Sequence, residues 1–129
     1  MIKVLPYRHG DVDPQRAYAG WDEVASLVAH VQPEKAVSLY HQDTYLASAG
    51  IIEISPGVGE VWLVVNRLPP SSVGFIKTLR HLLLCGVQHF GFQRLRSFVL
   101  AEDRRAKKFA QLFGFQIKYQ VDAMEQVVR

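Results

Sequence analysis

The spacing of apolar positions changes repeatedly along this chain, and each change marks a change of element. Ile2 to Tyr7 is β-branched and aromatic enough for a short strand. Asp13-Pro14 then sets a capping residue before proline at a first helical position. Trp21, Val24, Leu27, Val28 and Val31 follow at helical spacing until Pro33 stops them. Ala36 to Tyr40 and Tyr45 to Ile54 are strand-like runs on either side of the polar stretch His41 to Thr44. Pro56-Gly57-Val58-Gly59 makes a turn, and Glu60 to Asn66 is another strand. Three such runs on short connections predict an antiparallel meander. The period then lengthens: Phe75, Ile76, Leu79, Leu82, Leu83, Val87 and Phe90 mark one face of a long helix beginning near Phe75 and ended by Gly91. Leu95 to Leu100 reads as a buried strand and Glu102 to Phe113 as another amphipathic helix, stopped by Gly114. Phe115 to Val121 is a further strand and Glu125 to Val128 a last one. The order β-α-β-β-β-α-β-α-β-β predicts an α+β fold, a mixed α/β layer, over residues 1–129 as one domain.

Composition narrows the class. With 129 residues and 49% apolar content, the chain can bury a core without staples, and Cys85 has no second cysteine to pair with. Set among leucines, Cys85 reads as a buried, inert thiol. The apolar runs are too short to span a bilayer, and the first residues lack a signal-peptide core, so the expected setting is soluble and cytoplasmic, without membrane contact. The formal charge of +3 is unevenly spread: Arg67 to Lys108 carries nine basic residues opposed only by Glu102 and Asp103, and the remainder is net acidic. A positive second half points to an anionic partner such as a phosphorylated cofactor.

Most chemical motifs are absent. Gly57-Val58-Gly59 precedes a strand where a dinucleotide loop needs a helix, and no phosphate-loop or Gly-x-Ser-x-Gly pattern occurs. The five histidines show no metal-ligand spacing, so no metal is expected.

One stretch is more particular. Glu60-Val61-Trp62-Leu63-Val64-Val65-Asn66 is followed by a loop, the long helix and a strand. The closing run keeps Ala106, Phe109, Gly114 and Phe115 in order. This arrangement resembles the GCN5-related N-acetyltransferase (GNAT) superfamily, with its acyl-CoA N-acyltransferase fold: a central, mixed, mostly antiparallel sheet flanked by helices. The resemblance implies that acetyl-CoA, or another acyl-CoA, lies in a splay between strand Glu60 to Asn66 and strand Leu95 to Leu100. Backbone groups of Leu63, Val64 and Val65 would hold the pantetheine. Arg67, Ser71, Ser72, Val73 and Gly74, at the loop and helix start, would cradle the pyrophosphate, because a helix N-terminus offers free amides and a positive dipole end. Arg104, Arg105 and Phe109 are further cofactor contacts. Glu60 and Glu53 become candidate general bases for an amine acceptor, a small molecule or protein, and Tyr119 the candidate acid for the leaving thiolate.

Four positions depart from the family pattern. Pro70 and Ser72 stand where the pyrophosphate loop has glycine and a small residue, Ala110 where it has the acidic tyrosine, and Asp103 where it has asparagine. Proline donates no amide hydrogen and a carboxylate repels phosphate, so these changes predict weaker cofactor binding. The stretch from Trp62 to Phe75 also resembles a divergent, phage-encoded branch. For that branch the expected alternative is a catalytically inactive, virion-associated or protein-interaction role. Nucleic-acid binding through Glu102 to Phe113 comes last, since no reading motif accompanies the charge. An unpaired strand edge in the C-terminal segment offers a homodimer contact.

Overall fold

Strands joined by two residues can only turn back on their neighbours, whereas two parallel strands need a long crossover between them. Both rules are at work in the computed structural model, which describes residues 2–13, 27–100, 108, 110–121 and 124–128. Strands β1 (Ile2–Pro6), β2 (Ala36–His41), β3 (Thr44–Ser55) and β4 (Val58–Val65) pair antiparallel in succession. Helix α1 (Ser72–Phe90) then crosses over to β5 (Arg94–Leu100), which pairs parallel with β4. The chain returns through β6 (Gln116–Val121) and β7 (Met124–Val128), and β7 inserts between β5 and β6. The sheet order is β1-β2-β3-β4-β5-β7-β6, with one parallel contact in an otherwise antiparallel sheet. This is the expected mixed α/β layer, and the C-terminal edge is β6.

Alternation along the strands divides the core in two. One face carries Leu39, Leu46, Ala47, Ile51 and Leu95, and receives Phe75 and Leu79 of α1 with Phe92, Phe113 and Phe115. The opposite face carries Ala36, Ile52, Trp62 and Val64 under Tyr7, Val12 and Val31, with Leu27 and Val28 against them. The rest of the first predicted helix, including Trp21, lies outside the described residues, as does most of Glu102 to Phe113. Helix α1 ends at Gly91, whose φ of 72° lets its amide return to Val87 O at 2.9 Å.

Three expectations are corrected. Val58 and Gly59 belong to β4, leaving Pro56-Gly57 as the turn. Helix α1 starts at Ser72 rather than near Phe75, because its first turn is largely exposed and adds little to the apolar stripe. Cys85 is exposed, on the outer side of α1 with Sγ 3.5 Å from His81 Nε2.

Gly59 leaves no room for a side chain. A Cβ there would sit 2.5 Å from Ile51 Cγ2 and 3.1 Å from the Phe92 ring. Gly59→Ala is therefore expected to destabilise the fold by about 1–3 kcal/mol, through overpacking, read as a lower urea midpoint.

On the opposite face, polar groups form a chain with its centre, Ser38 and Ser48, buried. Ser38 Oγ donates to Asp11 Oδ2 at 2.7 Å and lies 2.7 Å from Ser48 Oγ, which in turn lies 2.6 Å from Tyr45 OH. Asp11 also accepts from the Arg8 amide at 2.9 Å, tying the loop after β1 to the sheet. Asn66 holds the same loop from the other side, accepting from the Asp13 amide and donating to the Asp13 carbonyl.

Candidate functional site

Strands β4 and β5 pair only at Val58–Arg94, Gly59–Leu95 and Glu60–Arg96. Beyond that row β4 runs on to Val65 beside β3, while β5 runs on to Leu100 beside β7. The two neighbouring strands part. At the vertex, Ser97 Oγ donates to Val61 O at 2.8 Å, so a side-chain hydroxyl occupies the acceptor that the next backbone amide of β5 would take in a continued ladder.

Which backbone groups open into the gap follows from alternation. Gly57 O accepts from the Arg94 amide and Val61 O from Ser97, so the odd residues of β4 face β5. Asn66 N donates to Leu46 O, so the even residues face β3. Leu63 and Val65 thus present both N–H and C=O to the slot. Val64 does not: its backbone faces β3 opposite Ser48, and its side chain is buried. Of the three strand residues expected to hold a cofactor, the backbone geometry leaves two.

At the open end of the slot lies the start of α1. Ser71 is the cap residue by position, and its side chain makes no capping hydrogen bond. The first intrahelical bond runs from Phe75 N to Ser71 O at 3.4 Å, so the amides of Ser72, Val73 and Gly74 have no helical acceptor. Pro70 precedes the cap and removes no donor from this set. A Cβ on Gly74 would meet nothing within 4 Å, and Arg67, Ser71, Ser72 and Val73 are exposed around it. Arg104, Arg105, Phe109 and Asp103 lie outside the described residues.

The candidate proton-transfer groups separate. Glu60 stands at the vertex on the face opposite α1, its Oε1 3.4 Å from Arg96 Nε, with the two side chains 25% and 35% exposed. Glu53 is exposed, registers with Gly59, and projects from the α1 face, so it does not share Glu60's site. Tyr119 lies on β6, separated from β4 by β5 and β7, and its side chain is outside the described set. Two residues that the sequence reading did not single out matter here: Arg96, seen only as one charge among nine, and Ser97, for which no sequence signal exists.

Beside Glu60, Tyr7, Ala36, Gly50 and Trp62 form one transverse row. The two rings fold over the small residues and meet edge-on at 6.0 Å, while a Cβ on Gly50 would come within 2.9 Å of Trp62 Nε1. Tyr7 OH and Trp62 Nε1 are buried with no hydrogen-bond partner among the described residues. Burial, with the Asp11 charge nearby, raises the Tyr7 pKa. Burial also raises that of Tyr45, partly opposed by its bond to Ser48, so both phenols stay protonated at neutral pH. Among the described residues no group of three or more His, Cys, Asp or Glu could hold a metal ion, and no helix is long and apolar enough to cross a membrane.

No family model matches the chain, and no curated protein matches it in sequence. Solved structures match it in shape. An IAA acetyltransferase from Bacillus cereus is 12% identical with a TM-score of 0.74, the match covering 99% of this chain and 98% of that one. A GNAT family acetyltransferase from Elizabethkingia anophelis with acetyl-CoA bound is 9% identical at a TM-score of 0.73, covering 98% and 96%. An N-acetyltransferase from Campylobacter jejuni is 13% identical at 0.64, covering 99% and 96%. At such identities the likeness shows the fold: this chain has the acyl-CoA N-acyltransferase fold of the GNAT superfamily.

Proposed function

We propose that this chain is a GNAT-type N-acetyltransferase that moves an acetyl group from acetyl-CoA to an amine. The observation that carries the reading is the slot. Two parallel strands part after one short ladder, leave the Leu63 and Val65 backbone open, and point toward an uncapped helix start. A long amide-bearing arm ending in phosphates fits that sequence of partners. The backbone N–H and C=O of Leu63 and Val65 bind the arm as a missing strand would. The amides of Ser72, Val73 and Gly74, the positive end of the α1 dipole and Arg67 hold the pyrophosphate, with Arg104, Arg105 and Phe109 as further cofactor contacts.

When bound, acetyl-CoA supplies an acyl group on a thioester carbon, where a C–N bond forms as the C–S bond breaks and the thiolate departs with a proton. The chain's part is positional and electrostatic. The Leu63 N–H, fixed by β4, polarises the acyl carbonyl at no cost in reorganisation. Glu60 accepts the proton of the incoming ammonium, and Arg96 holds that carboxylate in place.

Calorimetric titration tests the reading: acetyl-CoA is expected to bind with a dissociation constant below about 100 µM. Ser72→Asp sharpens it, since a carboxylate in the first turn of α1 stabilises the helix by about 0.3–1 kcal/mol but repels a pyrophosphate. The variant should melt no lower than the parent and bind acetyl-CoA at least about tenfold more weakly. Absence of heat and of thermal stabilisation at millimolar acetyl-CoA would refute the enzyme and leave a GNAT-shaped interaction protein.

A further inference from the structure

We infer that Asn66 is a positioning residue that links the seat of acetyl-CoA to residues 8–13, the loop on the sheet face away from α1; the inference rests on the acetyltransferase reading and says how the two halves of its site are joined. Asn66 lies between Val65, whose backbone opens into the slot, and Arg67, assigned to the pyrophosphate. Its half-buried side chain grips one residue twice. Nδ2 donates to the Asp13 carbonyl at 2.9 Å, and Oδ1 accepts from the Asp13 amide at 3.0 Å. This double pairing fixes the orientation of the side chain, since only its oxygen can take an N–H.

The backbone of Asn66 is held as firmly. The β2–β3 register steps from Leu39–Ala47 to Tyr40–Tyr45, which makes Leu46 the extra residue of a bulge. Its carbonyl accepts from Asn66 N at 2.8 Å and from Arg67 N at 3.0 Å. One carbonyl thus ends β4 and sets where Arg67 leaves the sheet. A ligand that fixes Val65 and Arg67 also fixes the residue that grips Asp13.

The loop carries that restraint onward. Asp11 Oδ2 accepts from the Arg8 amide and from Ser38 Oγ, while the Asp11 amide donates to Arg8 O at 3.0 Å. Residues 8–13 therefore hang between two anchors, Ser38 on β2 and Asn66 at the end of β4. Between the anchors, Val12 is buried in the cluster of Tyr7, Trp62 and Val64, and His9 meets the Tyr7 ring edge-on at 6.1 Å. Trp62 follows Glu60 by two residues on the same face of β4. Acetyl-CoA in the slot thus steadies, through Asn66, the packing beside the proposed base. Linkage is reciprocal, so a loop held in place favours the seated carrier in return.

Amide exchange at Arg8, Asp11 and Asp13, none of them assigned to acetyl-CoA, reads the link, with calorimetry as a separate arm. In the unmodified chain, saturating acetyl-CoA should slow these amides at least about fivefold, the low end of ordinary coupling between sites. In Asn66→Ala the slowing should vanish at all three, while acetyl-CoA still binds within about fivefold of the parent constant. Ser38→Ala releases the other anchor and should leave the response at Asp13. A merely structural Asn66 would give the unmodified chain the same exchange with and without bound acetyl-CoA. That result would overturn the inference and leave the acetyltransferase reading standing, and because it needs no variant it decides even where a substitution prevents folding. A response that persists in Asn66→Ala, or is lost at Asp13 in Ser38→Ala, would also overturn it. No heat with acetyl-CoA would overturn both.

Discussion

Glu60→Gln is expected to lower kcat by at least about a hundredfold, the ordinary contribution of a positioned general base, while acetyl-CoA binding stays within a factor of about three. The substitution keeps the side chain's size and its place on β4, and it removes only the negative charge and the capacity to take a proton. Glu60 is the right group to test because three independent features meet at it. It belongs to the last ladder row before the strands part, it faces away from the helix layer, and Arg96 restrains its carboxylate at 3.4 Å. The measurement is thiol release with an amine acceptor, alongside a calorimetric titration of acetyl-CoA. A rate within about threefold of the parent would remove Glu60 from the chemistry and favour proton loss directly to water.

Leu63→Pro is expected to weaken acetyl-CoA binding at least about tenfold without unfolding the chain. Proline is tolerated in a strand where the missing N–H faces an open side. Leu63 is such a residue, since its backbone groups turn to the slot rather than to β3. The leucine side chain is partly buried against the α1 layer, so some stability is lost with it. Leu63→Ala separates the two effects, because it loses the same packing and keeps the donor. One position along, Val64→Pro would remove a donor that faces β3 and should unfold the protein, costing about 3 kcal/mol or more. Circular dichroism with thermal melts, beside the titrations, reads the contrast. Equal binding by Leu63→Pro and Leu63→Ala would mean that this amide does not contact the cofactor.

Periodicity carried most of the fold to the page, because alternation and the 3.6-residue stripe are set by which side chains must be buried. Phe75 and Leu79 are buried as their spacing requires, and Gly91 ends α1 where a left-handed residue is needed. Periodicity is blind to residues that bury nothing. The first turn of α1, Ser72 to Gly74, faces solvent, so the apolar stripe begins three residues after the helix does. Gly59 looked like a turn residue although it is a strand position pressed against Ile51 and Phe92. Cys85, surrounded by leucines in sequence, lies on the outward side of the same helix.

The site was legible as far as a strand and a helix start define it. The resemblance implied Leu63, Val64, Val65, Arg67 and Ser71 to Gly74 as cofactor residues and Glu60 as a base, and the β4–β5 ladder ends at Glu60. The sequence could not show which amides of β4 face the gap, because that depends on register, and register turned Val64 away. Nor could it show that Glu53 and Glu60 project from opposite faces, or that Ser97 straps the vertex. The concern that Pro70 starves the helix start of donors came from counting positions. In the fold, Pro70 precedes the cap and the free amides are those that follow it.

Amide hydrogen exchange with and without acetyl-CoA reaches the parting of the strands most directly. The amides of Leu63 and Val65 should exchange rapidly in the free chain and become protected when acetyl-CoA is added. Those of Trp62 and Val64, bonded to β3, should be protected throughout. Slow exchange at Leu63 and Val65 before any ligand is added would mean that the strands are zipped, and unchanged rapid exchange at saturating acetyl-CoA would mean that the slot does not receive it.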